Sequence, residues 1–599
     1  MRKSLIIIFF LVCNEVNAYV GPGAGFVIGG VSGILLIVIF SILFTIVVLP
    51  FSFFIKEFIY KKPEHKPLKN RVIIIGFDGL DPEILNRYIE SGLIKNINKF
   101  FINKLKTTNP AISPVAWSSF VTGVNPGKHN IFDFLKKNHS THSLQLSLTD
   151  INYTEKKFRS LRKSRSFINI LKDYRIPCYC IRIPGTFPPQ EQICGYLLSG
   201  FPCPDIKGTQ GEYILLSWNT NNFSADITGP KIKNEILKVK ITGSINKEKR
   251  EVEINLQNKK IILKEREYSD WVEVVFGDVS AITRFLLLSI EPYVKIYLTP
   301  LNVNPLKPVF PVSQPNVYSV YLSKKLGLFS TLGMAEDTAA LKQGIIDKAD
   351  YLNQCYIYQK EREKIFYDIL DKFDKGVFTF VFDIPDRIQH IFIDEDEVIK
   401  ELYCYIDNFV LKIIEKLKDS EDYYLIIISD HGISNYRRSF NLNTFLLKNG
   451  YLILQKEVDK LDLSFADWDK TKAYSFGFNG IYLNLKDSGS QSIALIKQEI
   501  KDKLLNLSDN GIKPVNSVYF KEEIYKGPYL DNAPDIIIGY NKGYRTSFES
   551  AKGIIEEKII SDNLLCWVGD HSIDPEFVKG VCITNFTQKA DPEIIDIAP

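Results

Sequence analysis

Four stretches of the chain are apolar without alternation and end in charged or turn-forming residues. They are RVIIIGFDG (Arg71–Gly79), IPCYCIRIP (Ile176–Pro184), GVFTFVFDIPD (Gly376–Asp386) and YYLIIISDHG (Tyr423–Gly432). A strand buried on both faces reads this way, because neither row of its side chains meets water. Stretches of helical period lie between them, such as EREKIFYDILDKF and DEVIKELYCYIDNFVLKIIEKLKD. Strands alternating with helices predict an α/β fold, a three-layer αβα sandwich around a mostly parallel sheet.

The pattern changes from about Asp205 to Pro315. Short pieces such as KVKITGSI, REVEINLQ, KKIILKERE, WVEVVFG and YVKIYLTP alternate polar and apolar residues, as half-buried antiparallel strands do. Residues 206–320 therefore read as a β-rich insertion, a cap, between two parts of one core, 63–205 and 321–599. The chain shows no internal repeat, and its Asn- and Lys-rich patches read as solvated loops.

The N-terminal pattern is of another kind. Arg2 and Lys3 precede an apolar run from Leu5 to Cys13, and a V-N-A sequence ends at Ala18, so residues 1–18 have the shape of a signal segment. An uncharged run then extends to Ile55, longer than the ~20 residues that cross a bilayer. This predicts a transmembrane anchor over residues 19–62. Lys56, Lys61, Lys62, Lys66, Lys69 and Arg71 crowd its C-terminal side, which by the positive-inside rule sets the catalytic part on the cytoplasmic face. The competing reading is export, with the bulk of the chain outside.

Composition adds limits. At 599 residues the chain exceeds what one compact core usually holds, and 45% apolar content supports a large interior. Lys and Arg number 74 against 70 acidic residues, a balance that gives no argument for nucleic acid. Nine cysteines without a CxxC pair read as reduced thiols and not as a disulfide frame.

Three of the four buried runs end in candidate metal ligands: Asp78, then Asp386, then Asp430 with His431. Ligands of open α/β sheets bind beyond the carboxyl ends of the strands, so separated segments converge on one edge. In DRIQH, Asp386 and His390 stand four apart, on one face of a helical turn. GDHSID adds His571. The chain has seven histidines, and three of them sit beside Asp in such contexts. Carboxylate with imidazole is a ligand set for zinc or manganese. Two metals about 4 Å apart clamp the attacking and the leaving oxygen of a phosphoryl transfer.

The hydroxyls of ISPVAWSSFVTG are the candidate nucleophiles. Ser113 precedes Pro114, which suits the first turn of a helix, close to an anionic phosphate. It reads either as the nucleophile or as an ordinary helix cap, and the two do not exclude each other. Ser118, Ser119 and Thr122 lie deeper and read as packing or capping groups.

With these residues in view, the chain resembles the alkaline phosphatase superfamily, in its branch of type I phosphodiesterases and nucleotide pyrophosphatases. GFDGLD, SPVAWSSFVTGVNPGKHNIFDF, DRIQH, SDHG and GDH carry the resemblance. YVGPGAGF, IPGTFPP, PDIKGTQGEY and GMAEDTAAL bring it closest to the bacterial group described as predicted phosphohydrolases or phosphomutases. The likeness covers roughly residues 70–205 and 320–590. It implies an alkaline phosphatase-like fold and two zinc ions, with manganese as the alternative metal. Asp386, His390 and His571 would hold one ion, and Asp78, Asp430 and His431 the other, with Ser113 completing its shell. Ser113 would attack phosphorus and form a phosphoseryl intermediate.

Departures from the family narrow this. Asn130 stands where relatives have Gly, and Phe134 stands where nucleotide pyrophosphatases carry a phosphate-binding Asn. The second departure argues against a nucleotide substrate. No sulfatase signature follows Ser113. Lys128 and Arg545 are candidate anion contacts. The expectation is a membrane-anchored, two-metal phosphoester hydrolase acting on a diester or monoester, and the anchor points to a lipid- or envelope-linked one. The alternatives are a phosphotransferase or phosphomutase of the same superfamily and a non-catalytic membrane scaffold, which would have lost its ligands.

Overall fold

A computed structural model describes residues 71–137, 144–153, 157–191, 194–420, 422–455, 461–485, 489–588 and 592–599. Its centre is an eight-stranded sheet. The strands are β1 (Arg71–Phe77), β2 (Phe101–Leu105), β3 (Cys178–Ile181), β4 (Gly195–Leu198), β5 (Ser313–Gln314), β6 (Gly376–Phe382), β7 (Tyr423–Ile428) and β8 (Gly580–Thr584), in spatial order β5-β4-β3-β6-β1-β7-β8-β2. The four apolar runs of the sequence are β1, β3, β6 and β7, and they lie side by side.

β4, β3, β6, β1 and β7 are mutually parallel, with Ile74 of β1 opposite Thr379 of β6 and Ile426 of β7. β8, β2 and β5 join antiparallel at the two edges. The sheet is thus mixed, which corrects the expectation of a mostly parallel one. The physical reason is placement: an edge strand such as FINKL of β2 keeps solvent-facing polar positions and carries no buried-run signal.

Alternate side chains of β1 feed the two faces. Ile73, Ile75 and Phe77 pack with helices α1 (Pro82–Glu90), α3 (Lys348–Leu370) and α5 (Asp396–Leu417), while Ile74 packs with Trp117 and Phe120 of α2 (Ser113–Thr122). α4 (Ile384–Phe392) follows β6. The expected helices EREKIFYDILDKF and DEVIKELYCYIDNFVLKIIEKLKD fall in α3 and α5; α3 starts earlier because Asp347 and Asp350 form a reciprocal capping pair.

Two further sheet systems flank this layer. Residues 214–303 form antiparallel sheets around an apolar core of their own, including Ile227, Ile241, Ile254 and Ile296. A second four-stranded sheet, of Ala473–Ser475, Gly480–Leu483, Ile536–Tyr540 and Val515–Phe520, packs with helix Ser490–Asn506.

The expectation of an N-terminal membrane anchor, with a cytoplasmic catalytic face, is not upheld. No helix among the described residues is long and apolar enough to cross a membrane, and residues 19–62, on which the anchor was placed, lie outside the described residues. A long uncharged run needs cover from water, and packing against protein supplies that cover as lipid does. With the anchor goes the argument for a lipid- or envelope-linked substrate, which rested on it. The eight cysteines among the described residues are free thiols.

Asp81 ties the sheet edge together. One carboxylate oxygen accepts from Glu83 N and Ile84 N at 2.8 and 3.0 Å and caps α1, while the other accepts from Ile433 N at 3.0 Å beyond β7. Gly432 leaves room for it: a Cβ there would lie 2.3 Å from Asp81 Oδ2. Asp81→Ala removes a cap and strands a buried N–H, so it should cost about 2–3 kcal/mol in urea unfolding. A cost below ~0.5 kcal/mol, the level of an ordinary surface change, would show that the tie is dispensable.

Candidate active site

β1 lies between β6 and β7, so the residues after all three strands meet above the sheet. Asp78 follows β1 directly. Its Oδ2 accepts from Trp117 Nε1 at 2.9 Å. Gly76 makes that possible, since a Cβ there would lie 2.5 Å from the Trp117 ring. α2 begins at Ser113, and its N-cap is Ile112, with no side-chain capping bond. The Ser113 hydroxyl therefore caps nothing. Its Oγ instead lies 3.0 Å from His431 Nε2 and donates to Asp78 Oδ1 at 3.4 Å. Ser119 Oγ pairs with His129 Nε2 at 2.9 Å, and Thr122 Oγ1 donates to Ser118 O at 2.7 Å, as packing groups do.

The four-residue spacing in α4 puts Asp386 Oδ1 3.0 Å from His390 Nε2. His571 Nε2 lies 3.7 Å from the same oxygen, and the His571 ring stacks on His431 with centroids 3.5 Å apart. Asp430 Oδ2 stands 3.2 Å from His431 Nε2, and Asp430 Oδ1 accepts from Gly79 N at 3.2 Å. The six candidate metal ligands and Ser113 meet here. The ligating atoms of Asp386, His390 and His571 lie within 4.8 Å of one another, and so do those of Asp78, Asp386 and His431. Asp386 thus belongs to both groups, and Asp430 joins the second through His431.

Each imidazole is oriented from behind. His390 Nδ1 donates to Gly569 O at 2.6 Å, His571 Nδ1 to Ala111 O at 2.6 Å and His431 Nδ1 to Gly432 O at 3.0 Å. A carbonyl only accepts, so each Nδ1 carries a proton and each Nε2 is the nitrogen turned toward the cluster. Burial, helped by the neighbouring His431, lowers the His571 pKa to about 3 and keeps the ring neutral.

The carboxylates are in tension. Burial raises the Asp78 carboxyl well above the usual range, and the charges of Asp430 and Asp386 add to it. Burial raises Asp430 too, against the pull of His431. Burial opposes the charge of Asp386 as well, but His390 and the Arg387 guanidinium outweigh it and hold that carboxyl well below the usual range. Asp386 Oδ1 and Asp430 Oδ2 are buried without a hydrogen-bond donor. Orphaned carboxylate oxygens beside Nε2 atoms turned into the cluster fit divalent cations of the zinc or manganese type.

A model of the type I phosphodiesterase / nucleotide pyrophosphatase family matches residues 72–224 and 311–574. The chain belongs to that family. It is a member of the alkaline phosphatase superfamily and a metal-dependent phosphoric ester hydrolase. The unmatched interval, 225–310, takes in most of the antiparallel β-rich segment. No curated protein matches the sequence. Among solved structures, Sinorhizobium meliloti phosphonoacetate hydrolase with phosphonoformate is 11% identical, covering 88% of this chain and 94% of its own, at TM-score 0.42. Human ectonucleotide pyrophosphatase/phosphodiesterase 5 is 12% identical, covering 88% and 92%, at TM-score 0.40. The inactive murine counterpart with AMP is 13% identical, covering 88% and 93%, at TM-score 0.40.

In this phosphodiesterase-family protein a pocket of ≈ 400 Å³ opens beside His390 and His571. Phe134 lines it, packed edge-on to Phe201 and Phe478. Of residues 206–320 only Gln210 reaches it. Arg545 lines it too, buried against the Phe548 ring with its guanidinium 4.2 Å from the centroid and paired to Asp570. Lys128 does not line it, but stands exposed on the short helix Pro126–His129. Asn130 ends that helix in the left-handed region, at φ 66°. Trp117, Lys342, Arg387, Trp567 and Asp570 were missed. Trp117 could have been found, because it lies four positions after Ser113 on one helix face.

Two outcomes follow for this site. Chelation should lower the melting temperature, and zinc or manganese at a thousandfold excess over Kd should add about 4 kcal/mol of stability, an effect lost in Asp386→Ala. Thermal unfolding with metal analysis reads both. The second outcome concerns pH. Asp133 is buried and accepts from Phe478 N at 2.8 Å, and burial pushes its carboxyl up from 3.8 to about 6. The folded state then binds the proton more tightly than the unfolded one. Its contribution to stability therefore falls as pH rises from about 4 to about 6, by at most ~1.4 kcal/mol per pH unit. Urea unfolding across this window should show that slope in the parent chain and lose it in Asp133→Asn.

Proposed function

We propose that the protein hydrolyses phosphoesters with two divalent cations, through a phosphoseryl intermediate on Ser113. The observation that carries this is the Ser113 hydroxyl, half-buried at the start of α2, within 3.0 Å of His431 Nε2 and 3.4 Å of Asp78 Oδ1. Asp386, His390 and His571 would hold one cation, and Asp78, Asp430 and His431 the other, with zinc the leading candidate and manganese the alternative. Bound cations neutralise phosphoryl oxygens and lower the proton affinity of the serine hydroxyl and of water.

The chain's own groups do the rest. Ser113 Oγ bonds to phosphorus as the bond from phosphorus to the substrate's alcohol oxygen breaks, and the alcohol leaves, taking up a proton in place of the one the serine gives up. Water then attacks phosphorus, the bond to Oγ breaks, and a proton from that water restores the serine hydroxyl. α2 starts at Ser113, so the positive end of its dipole faces the charge on the phosphoryl oxygens. The three Nδ1–H bonds to backbone carbonyls hold the imidazoles still through both steps.

Ser113→Ala should lower metal-dependent turnover of p-nitrophenyl phosphate and its bis ester at least ~1000-fold. Acid quenching of the parent chain during turnover should leave one phosphoryl group on Ser113, located by peptide mass spectrometry. Unchanged turnover in the variant would sink the covalent scheme.

A further inference from the structure

The pocket wall carries three cations, and they are engaged to different degrees. Arg545 is spent on structure: it pairs with Asp570 and lies against Phe548 and Phe478. Asp570 is spent as well, because it also accepts from Trp567 Nε1 at 2.8 Å, His571 N at 2.9 Å and Ser572 N at 2.8 Å. Arg387 is half engaged. Its Nη2 pairs with Asp386, while its Nη1 meets only the Met334 sulfur, at 3.7 Å.

Lys342 is free of any such bond. It ends the short helix Thr338–Lys342, and its Nζ lies 4.3 Å from the Phe548 ring centroid. No carboxylate pairs with it among the described residues; Glu549 acts on it only at longer range. An aromatic face positions a cation without neutralising it. The pocket thus presents an uncompensated positive charge at Lys342 and, on Arg387, a donor held only by the weak Met334 acceptor, between apolar walls. Its ≈ 400 Å³ is in the range that takes a small organic ligand.

We propose that this pocket is a second anion subsite, which selects phosphoesters whose alcohol carries a further acidic group, a carboxylate or a second phosphate. Lys342 supplies the counter-charge and Arg387 Nη1 a hydrogen bond. The proposal deepens the phosphoester reading above and rests on it. Lys342 is a specificity residue here: it touches the far end of the substrate and not the reacting phosphorus.

The test compares phenyl phosphate with 4-carboxyphenyl phosphate, which differ by one carboxylate. Their affinities are measured by calorimetry on the zinc-loaded, full-length Ser113→Ala chain, so turnover does not intervene. The carboxylated ester should bind about fivefold more tightly, the upper end for an ion pair made by an exposed lysine. Lys342→Ala should remove that advantage and leave phenyl phosphate affinity within about twofold, and Lys342→Arg should keep it. Equal affinities for the two esters, binding of neither, or an advantage that survives Lys342→Ala overturns the proposal. Failure of the phosphoseryl reading appears elsewhere, as turnover of phenyl phosphate that does not need Ser113, and leaves this comparison of affinities intact.

Discussion

Three carboxylates, Asp78, Asp386 and Asp430, are buried just beyond three neighbouring strands, Asp386 in the first turn of α4, at 5%, 1% and 0% exposure. Ionised carboxylates resist burial, and they resist one another's company still more. The chain meets part of this cost itself. Arg387 and His390 stabilise the charge on Asp386, and Trp117 donates to Asp78. What is left over, two donorless carboxylate oxygens among three imidazole Nε2 atoms, is a demand for cations. Much else in the molecule serves that demand. Gly76 is small so that Trp117 can reach Asp78, and Gly432 is small so that Asp81 can hold the segment after Asp430. Strand order puts β1 between β6 and β7, so the charges converge without long loops.

This constraint explains what could be read from the sequence. A strand buried on both faces must be apolar throughout, so the runs ending at Asp78, Asp386 and Asp430 announce both the strand and the charged group at its end. DRIQH is legible because helix geometry fixes the i, i+4 neighbour. Ser113 is legible through Pro114. His571 has no such local mark, since it is brought in by the segment before β8, and only its place beside Asp in a histidine-poor chain pointed to it.

What could not be read depends on long-range packing. β8 pairs with β2 on one side and with β7 on the other, each far away along the chain, and nothing in FINKL or GVCIT states the direction of that pairing. The sheet of Ala473–Ser475, Gly480–Leu483, Ile536–Tyr540 and Val515–Phe520 is built from pieces of three to six residues, too short for a periodic signal, so it was not separated from the core. Arg545 and Lys342 look alike in a sequence, as single charges near apolar residues. Only the packing of Phe478 and Phe548 makes the first a buried structural cation and leaves the second open.

That difference shows how the pocket and the ligand cluster are joined. Trp567 stacks on His390 with centroids 3.8 Å apart and donates to Asp570. Asp570 in turn accepts the backbone N–H of His571 and pairs with Arg545. Two candidate ligands and one wall of the pocket are therefore one bonded unit. A charge removed from that unit leaves its partner buried and unpaired, which costs several kcal/mol, of the order of 3–5. Arg545 and Asp570 are thus poor places for substrate preference to change, because any change there disturbs His571. Lys342 stands outside the unit and touches it only through the Phe548 ring. It can vary without disturbing the ligands, and it is therefore the position at which this wall can set specificity independently of the chemistry.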